Sequence, residues 1–488
     1  MSSYRVLFCV SEVYPLIKTG GLADVASSLP RALHHLKHDV RLVMPAYRSV
    51  LSELKSKAKQ CGQTQMGQYP VSILKTTLPG SRVPIWLIDC PPLFDRPGSP
   101  YHDTDGTSWT DNDQRFNLFN QIIVQLANND LNMDWQPQVV HCHDWQTGLA
   151  PALLNQQSRR PATVFTIHNL AYAGQFSRKS FEQLELAESL WCEEQLKHDG
   201  GYAFIKGGLI HADRINTVSP HYAKEIQTPA FGAGLETLLQ SRATHLAGIT
   251  NGIDVRAWNP GTDKLIAKTY NRKKLKQKLI NKRALQKHFA LTEDDNVFVL
   301  GLVSRLVAQK GIDILINILP SLMSMPVQLV ILGSGDNIYE DKLIKATETY
   351  KGKMGTLIGF NESLAHQIEA GIDVFLMPSR FEPCGLNQMY SQRYGSLPIV
   401  TAVGGLSDTV IDATETNLSK KTATGFIMPE VSESALLQTI QHALQLYQNQ
   451  TTWQSLQNTA MQVDFSWSNS AESYCKLYAQ AIQDLQTR

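Results

Sequence analysis

Short runs of apolar residues recur along this chain, and most are followed by a polar or glycine-containing segment and then by apolar positions at helical spacing. In the first half, these runs cover residues 5–10, 40–44, 83–88, 139–141, 163–167 and 214–218. In the second half, they cover residues 297–303, 327–332, 357–360, 374–377 and 398–402. Buried strands that alternate with helical crossovers predict an α/β fold with mostly parallel, doubly wound sheets.

The length of 488 residues is too great for one hydrophobic core and predicts two domains of about 200–250 residues each. Turn signals at residues 251–254 and 258–261 place the boundary near residues 250–262. We therefore predict one domain at residues 1–250, a second at 251–462, and a C-terminal helix at 463–488. The periodicity of this last helix is compatible with a cap on the second domain or with a return to the first.

The segment KTGGLADV, residues 18–25, lies where the first strand gives way to a helix. Unpaired amides and the helix dipole favour an anion at such a turn, and glycines let a ligand approach the backbone closely. The segment matches neither the dinucleotide fingerprint nor a Walker loop. The alternative is a tight turn with Lys18 in solvent. Lys206-Gly207-Gly208 repeats this pattern of a cation beside glycines more weakly.

Histidines follow two neighbouring strands, in HCHDW and in TIHN. His141 and His143 share a face of a strand, which raises the possibility of zinc, but no further ligands follow at suitable spacing. A neutral, hydrogen-bonding role is favoured. Asp144 beside Trp145 suits a sugar, because a carboxylate can bind hydroxyls while an indole packs against the ring.

In the second half, Arg305 and Lys310 flank a strand-to-helix turn and together suit a diphosphate; the alternative is a pair of exposed cations.

Arg380 and Glu382 flank Phe381 after the 374–377 run and suit a ligand with hydroxyls and anionic charge. The alternative there is a surface salt bridge beside a tight turn.

Four other segments have simpler interpretations. An aromatic residue at Phe360 could stack on a base or fill the core, and Gly404-Gly405 at a helix start favours an anion. The long loop at residues 94–116 is either functional or an irregular insertion. The basic run at residues 271–287 predicts a solvated helix face.

Composition adds three constraints. With 18% charged residues and a net charge of +1, a broad nucleic-acid surface is excluded, and any anion site must be local. The seven cysteines include no CxxC pair, which is typical of free thiols in a reducing compartment. The first apolar run is too short for a signal peptide, and no run approaches the ~20 residues of a membrane helix, so we expect a cytoplasmic globular protein.

Ten motifs follow one another along the chain: KTGGLADV, PYHD, HCHDW, TIHN, KGG, TVSP, TNGID, SRLVAQKG, SRFEPCGLNQ and VGGLSDTV. Their order resembles that of bacterial glycogen synthases and plant starch synthases, over essentially the whole chain. The resemblance implies the GT-B architecture, in which two Rossmann-like domains face each other across a cleft. It also implies a retaining transfer of glucose from ADP-glucose to the non-reducing 4-hydroxyl of an α-1,4-glucan. No metal, pyridoxal phosphate or other cofactor is expected, and the partners are a nucleotide sugar and glycogen.

The resemblance also implies roles for residues of the first domain. Lys18, Gly20 and Gly21 would bind the donor diphosphate, and Asp24 would fix this loop or bind sugar. His168 and Asp144 would face the transferred glucose. Two further positions complete this set: Tyr101, which would reach donor or acceptor, and Asn251, near the donor.

In the second domain, Arg305 and Lys310 match the pair that neutralises the leaving diphosphate. Glu382 would hold glucose and support positive charge at the anomeric carbon, and Phe360 would lie against the base. The remaining donor-binding positions follow Glu382 and would contribute chiefly backbone amides: Cys384, Gly385, Leu386 and Asn387.

The chain departs from related patterns at two positions. Many retaining GT-B enzymes carry a second Glu where this chain has Tyr390, although glycogen and starch synthases generally lack it. Phe360 replaces a Tyr that is common among bacterial members. Alternatives are another GT-B enzyme, such as a sucrose- or trehalose-type transferase or an epimerase, a phosphorylase with pyridoxal phosphate, and a catalytically silent glucan-binding protein.

Overall fold

The computed structural model describes residues 3–487, which form two compact units. The first unit contains the described residues up to Gly252 together with those from Trp467 onward, and the second is Ile253–Ser466. The division at Gly252 falls within the boundary region expected near residues 250–262. No helix among residues 3–487 combines the length and apolar character needed to cross a membrane.

The first unit is built on a sheet of nine strands. Its strands and those of a small second sheet are β1 Arg5–Cys9, β2 Asp39–Pro45, β3 Lys59–Met66, β4 Tyr69–Thr77, β5 Pro84–Asp89, β6 Val139–His143, β7 Ala162–Ile167, β8 Gln175–Phe176, β9 Lys197–His198, β10 Gly201–Ala203, β11 Arg214–Thr217 and β12 Leu246–Gly248. Its helices are α1 Gly21–His35, α2 Arg48–Leu54, α3 Pro91–Phe94, α4 Asn112–Asn128, α5 Leu149–Asn155, α6 Arg178–Gln183, α7 Phe204–His211, α8 Pro220–Glu225 and α9 Glu236–Ser241.

The strand order β12-β11-β7-β6-β1-β2-β5-β4-β3 explains where the polar segments gather. β1 pairs in parallel with β2 on one side and with β6 on the other. The loops that follow β1, β6 and β7 therefore leave the same edge of the sheet, where doubly wound folds bind ligands. The antiparallel hairpin β3–β4 was not predicted, because β3 is a largely exposed strand with polar residues and a glycine.

The second unit contains a parallel sheet of six strands in the order β15-β14-β13-β16-β17-β18. These strands are β13 Phe298–Val303, β14 Val327–Gly333, β15 Met354–Ile358, β16 Val374–Met377, β17 Leu397–Thr401 and β18 Phe426–Met428. Its helices are α10 Lys278–His288, α11 Ile312–Met323, α12 Asn337–Thr349, α13 Glu362–Gly371, α14 Asn387–Tyr394, α15 Gly404–Thr409, α16 Glu415–Ser419, α17 Glu433–Gln448 and α18 Gln450–Ala460. The strands are almost entirely buried, as expected for a parallel sheet with helices on both faces.

The last helix, α19 Trp467–Thr487, belongs to the first unit. Its Tyr474 hydroxyl accepts a hydrogen bond from the Asn216 amide at 3.0 Å, and its Tyr478 hydroxyl lies 2.8 Å from Nδ1 of His141. Of the two placements compatible with the sequence, the chain thus adopts the return to the first unit.

The basic run does not form a solvated face throughout, so that prediction was wrong for two lysines. Lys278 and Lys282 of α10 are buried. Nζ of Lys278 donates to the carbonyl of Ala370 and the hydroxyl of Ser396, each at 2.8 Å, and Lys282 pairs with Asp373 at 2.7 Å. These acceptors come from distant parts of the chain and offset the loss of water around the two ammonium groups.

Candidate active site

The KTGGLADV segment forms the turn from β1 to α1. Nζ of Lys18 lies 2.9 Å from a carboxylate oxygen of Asp24, which is in the first turn of α1. Gly20 caps the helix, and no side chain among the described residues caps it by a hydrogen bond at that position. The first amides of a helix have no acceptor within the helix, so Gly21 and its successors form an anion-favouring end beside Lys18.

Glu12 organises this turn, and the sequence analysis did not identify it as a functional residue. Its carboxylate accepts hydrogen bonds from the amide of Thr19, from the amide of Gly20 at 3.3 Å, and from the Thr19 hydroxyl at 2.8 Å. Burial raises the pKa of Glu12, while the donated hydrogen bonds oppose that shift. An acidic residue three positions after a buried strand was the available signal.

Tyr101 lies in the long loop at residues 94–116 and contacts the same carboxylate. Its hydroxyl is 3.1 Å from Oε1 of Glu12 and 2.7 Å from the hydroxyl of Ser11. Burial of this hydroxyl raises the pKa of Tyr101 well above its ordinary value. The structure therefore brings Tyr101 together with the KTGG turn through Glu12.

Asp144 and His168 are held together at the ends of β6 and β7. The amide of His168 donates to Oδ1 of Asp144 at 2.7 Å, and Asp144 has a positive φ of 54°. Burial raises the pKa of the Asp144 carboxyl to about 7 and lowers the pKa of the His168 imidazole to about 3. His168 is thus neutral at physiological pH and can donate or accept a hydrogen bond without carrying charge.

The imidazoles of His141 and His143 are hydrogen-bonded within the core. His141 lies 2.6 Å from the Thr166 hydroxyl, and Nδ1 of His143 lies 2.9 Å from Nε2 of His168. Burial lowers the pKa of both imidazoles well below the ordinary value. Within residues 3–487, no three His, Cys, Asp or Glu side chains are grouped so that they could hold a metal ion.

Two other predicted positions of the first unit differ in outcome. Asn251 is buried, and its side-chain oxygen has no hydrogen-bond partner among the described residues. Lys206 is not an anion-binding cation, because its ammonium donates to the carbonyls of Glu193 and Lys197 at 2.6 and 2.7 Å. Gly207 instead allows close packing, since a Cβ there would lie 2.4 Å from the carbonyl oxygen of Gly148.

In the second unit, the ammonium of Lys310 forms an ion pair with the carboxylate of Glu382. Lys310 follows β13 and Glu382 follows β16, and these strands are neighbours in the sheet. The Ser379 hydroxyl is 3.4 Å from the same carboxylate, and Glu382 is only 7% exposed. A cation and a carboxylate thus lie side by side, where parallel strands end.

Arg380 serves a different purpose from the predicted ligand contact. Its guanidinium binds both carboxylate oxygens of Asp313, at 2.8 and 2.6 Å, and also donates to the carbonyl of Ala308 at 2.5 Å. The side chain of Gln309 also connects the loop after β13 to the loop after β16, because it donates to the carbonyl of Phe381 at 3.2 Å. The same side chain lies 3.3 Å from a nitrogen of Arg305. These contacts hold the Lys310 loop against the Glu382 loop. The side chain of Arg305 is exposed.

The segment after Glu382 depends on glycines for its position. Gly385 has a positive φ of 70°, and Leu386 precedes the first residue of α14. Cys384 is buried, and the Asn387 side chain donates to the carbonyl of Val303 at 2.7 Å. This segment can therefore offer chiefly the amides at the start of α14, whereas the side-chain amide of Asn387 is bound within the protein.

The Gly404-Gly405 pair packs against the Glu382 loop, and the expected anion edge was wrong for one of its amides. The amide of Gly405 donates to the carbonyls of Glu382 and Pro383, both at 3.1 Å. A Cβ at Gly404 would lie 2.0 Å from the carbonyl oxygen of Glu382. The two glycines therefore permit close approach of two backbone segments.

Two further positions of the second unit that the sequence analysis singled out are aromatic residues. Phe360 follows β15 and is 79% exposed, so its ring face is available for stacking and does not fill the core. The ring of Tyr390 stacks on Trp258 with 3.8 Å between centroids. At Tyr390, where many retaining enzymes carry a second carboxylate, this chain thus has an aromatic packing contact.

Each unit therefore gathers complementary groups at the carboxyl ends of its strands. The first provides Lys18, a helix end, neutral His168 and a carboxylate at Asp144. The second provides Arg305, Lys310, Glu382, an exposed ring at Phe360 and helix amides. Cations and amides suit phosphate oxygens, and carboxylates and neutral imidazole suit sugar hydroxyls.

Comparison with known proteins gives matches over both units. A family model described as the starch synthase catalytic domain matches residues 5–241, and one described as glycosyl transferases group 1 matches residues 284–456. The chain is 50% identical over 478 residues to glycogen synthase 1 of Methylococcus capsulatus, covering 98% of this chain and 97% of that protein. It is also 50% identical over 482 residues to a glycogen synthase of Thioalkalivibrio sulfidiphilus, covering 98% and 100%.

Solved structures match the fold over almost the whole chain. The catalytic domain of starch synthase IV from Arabidopsis thaliana, bound to ADP and acarbose, matches with a TM-score of 0.88 and 29% identity, covering 99% of this chain and 100% of that one. A sucrose-phosphate synthase from Thermosynechococcus elongatus matches with a TM-score of 0.59 and 17% identity, covering 98% and 99%, which shows the fold alone.

Proposed function

This chain belongs to the glycogen synthase family of glycosyltransferases, and from that premise we propose that it transfers glucose from ADP-glucose to the non-reducing 4-hydroxyl of an α-1,4-glucan. The anomeric configuration is retained, and ADP is released. The observation that carries the proposal is the 50% identity to glycogen synthases over 98% of the chain. All seven cysteines are free thiols, which supports a reducing compartment such as the cytoplasm.

Each unit provides groups that suit the donor diphosphate. Lys18 and the amides after Gly20 provide positive charge in the first unit, and Arg305 and Lys310 provide it in the second. Support for this assignment comes from the helix end beside Lys18 and from the strand-end position of Lys310. Phe360 stacks on the base, which its exposed ring supports.

The transferred glucose is bound by carboxylates, amides and a neutral imidazole. Glu382 holds its hydroxyls and stabilises positive charge at the anomeric carbon, and the amides of residues 384–387 assist. His168, whose pKa is lowered to about 3 by burial, acts as a hydrogen-bonding group. The Asp144 carboxylate holds the His168 loop by accepting a hydrogen bond from the backbone amide of His168. The same carboxylate faces the sugar. Tyr101 and Asn251 contribute contacts to the donor or acceptor.

Electrostatic stabilisation is the main catalytic task. As the glycosidic bond to the diphosphate breaks, negative charge builds on phosphate while the sugar becomes oxocarbenium-like, so preformed cations stabilise the transition state more than the ground state. Protein cations supply this charge, and we expect no requirement for a divalent metal or for pyridoxal phosphate. Because Tyr390 stands at the second-carboxylate position, we favour front-face substitution assisted by the departing phosphate.

Incubation of the purified protein with radiolabelled ADP-glucose and glycogen tests the proposal. We expect label in the precipitated glucan, equimolar release of ADP, and loss of the label on digestion with β-amylase, which cleaves α-1,4 linkages. A parallel reaction with UDP-glucose measures donor preference. Glycogen binding without ADP release would contradict the proposal and favour a catalytically silent glucan-binding protein.

A further inference from the structure

Glu12 joins two loops of the first unit that the proposed function assigns to substrate binding. One is the KTGG turn between β1 and α1, and the other is the long loop that carries Tyr101. Glu12 lies between them after β1 and is 3% exposed. An acidic side chain is rarely buried to this extent unless hydrogen bonds compensate for the lost water.

Four hydrogen bonds provide that compensation. Oε2 of Glu12 accepts from the amides of Thr19 and Gly20, and Oε1 accepts from the hydroxyls of Thr19 and Tyr101. The Tyr101 hydroxyl also contacts Ser11, 2.7 Å away. One carboxylate therefore fixes the backbone of the turn and the side chain of the neighbouring loop at the same time.

The arrangement also determines which amides remain for a ligand. The amides of Thr19 and Gly20 point at Glu12, so they are engaged inside the protein. The amides of α1 begin at Gly21, and those of a first helical turn have no acceptor within the helix. An incoming phosphate would thus meet the amides of Gly21 and its successors together with Lys18, while the amides of Thr19 and Gly20 stay bound to Glu12.

We propose that Glu12 is a positioning residue that holds the KTGG turn and Tyr101 in the arrangement that receives the donor diphosphate. It does not touch the reacting atoms. The inference rests on the proposed function, which assigns the KTGG turn to the donor diphosphate and makes ADP the probe.

The test compares Glu12→Ala with Glu12→Gln in the full chain. Gln keeps an oxygen acceptor for the two amides, and its NH₂ group can donate to the two hydroxyls, which then turn to accept. Amide hydrogen exchange of peptides covering residues 13–22 and 99–112 reports on loop order, and calorimetry with ADP reports on binding. We expect Glu12→Ala to exchange faster in both peptides and to bind ADP about tenfold or more weakly. Glu12→Gln should stay within about threefold of the wild type.

A purely structural role would lower the unfolding midpoint of Glu12→Ala but leave ADP binding by the folded protein unchanged, and that result would overturn the inference. If Glu12→Ala does not fold, Tyr101→Phe and Thr19→Val take its place. Each removes one hydroxyl donor, and each should speed exchange in its own loop. Unchanged exchange in both loops would also overturn the inference. A wild-type protein that does not bind ADP would refute the proposed function instead, and exchange would still decide the role of Glu12.

Discussion

Lys310 and Glu382 lie 72 residues apart in the sequence, yet their side chains form an ion pair where two neighbouring strands end. The pair places a cation next to a carboxylate, the two groups that the proposed function assigns to the leaving diphosphate and to the sugar. It also keeps each charge neutralised before a substrate arrives, which lowers the cost of burying Glu382.

Replacement of Lys310 by Ala should reduce turnover by a factor on the order of 10²–10³, because one transition-state contact to the leaving group is lost. Initial rates of ADP release at saturating ADP-glucose measure the effect. Lys345→Ala is the matched control, since Lys345 is exposed on α12. Near wild-type turnover of Lys310→Ala would remove Lys310 from the leaving-group role.

Chelation of divalent metals should leave activity intact, because the proposed function assigns to Lys18, Arg305 and Lys310 the charge that a metal supplies in other phosphoryl-binding sites. The measurement is ADP release before and after treatment with EDTA. Activity that is lost to EDTA and restored by Mg²⁺ would contradict the assignment of the diphosphate to protein cations alone.

The stability of the first unit should depend on pH through Asp144. Burial raises the pKa of this carboxyl to about 7 in the folded protein, whereas the unfolded value is about 3.9. Between about pH 4 and 7, the folded state therefore binds a proton that the unfolded state lacks, and the free energy of unfolding falls as pH rises, by up to about 1.4 kcal/mol per unit. Above about pH 7 this dependence ends, because both states are ionised.

Asp144→Asn cannot ionise, so it should gain stability relative to the wild type across that range. Thermal unfolding midpoints of the two proteins at a series of pH values measure the difference. A difference that does not change with pH would show that the Asp144 carboxyl titrates normally.

Gly404→Ala should reduce activity by about 10²-fold, because misplacement of reacting groups by about 1 Å has costs of that size. The new Cβ would lie 2.0 Å from the Glu382 carbonyl oxygen and must displace the Glu382 loop. Gly67→Ala is the control for backbone strain without a collision. Gly404 and Gly67 both have a positive φ, of 44° and 56°, but a Cβ at Gly67 would meet no described atom within 4 Å. Equal activity of both variants and the wild type would contradict the packing argument.

Arg380 should act on catalysis through the loop that it holds. Arg380→Ala and Asp313→Ala should each slow turnover by about tenfold, and the double variant should be slowed by less than the product of the two single losses, because the two side chains bind each other. Arg283→Ala is a suitable control, since Arg283 forms a comparable pair with Asp295 on an exposed surface. Losses that multiply fully in the double variant would contradict this expectation, because they would show that Arg380 acts independently of Asp313.

Much of the architecture could be predicted from the sequence because buried parallel strands are short apolar runs. The run at residues 374–377 coincides with β16, and the GT-B fold class is confirmed by the solved relatives. The hairpin β3–β4 was missed because an exposed strand such as Lys59–Met66 lacks an apolar run. The burial of Lys278 was missed because its acceptors, Ala370 and Ser396, lie far away in the sequence.

The candidate site could be predicted in its charged groups but not in its supporting contacts. Motif resemblance identified Lys310 and Glu382, whose pairing the fold then explains through adjacent strands. Arg380 and Glu12 have the residue types of ligand-binding groups, and only the structure shows that Asp313 and the KTGG turn are their partners. A sequence pattern reports charge and spacing, whereas partner choice depends on which loops the topology brings together.

The return of α19 to the first unit has a consequence for biosynthesis. On the ribosome, the whole of Ile253–Ser466 is translated before the helix that covers Asn216 and His141 emerges. The second unit can thus complete its core while the first still exposes apolar and polar groups that await Tyr474 and Tyr478. Nascent chains should therefore need protection from aggregation at their first unit until α19 has been translated.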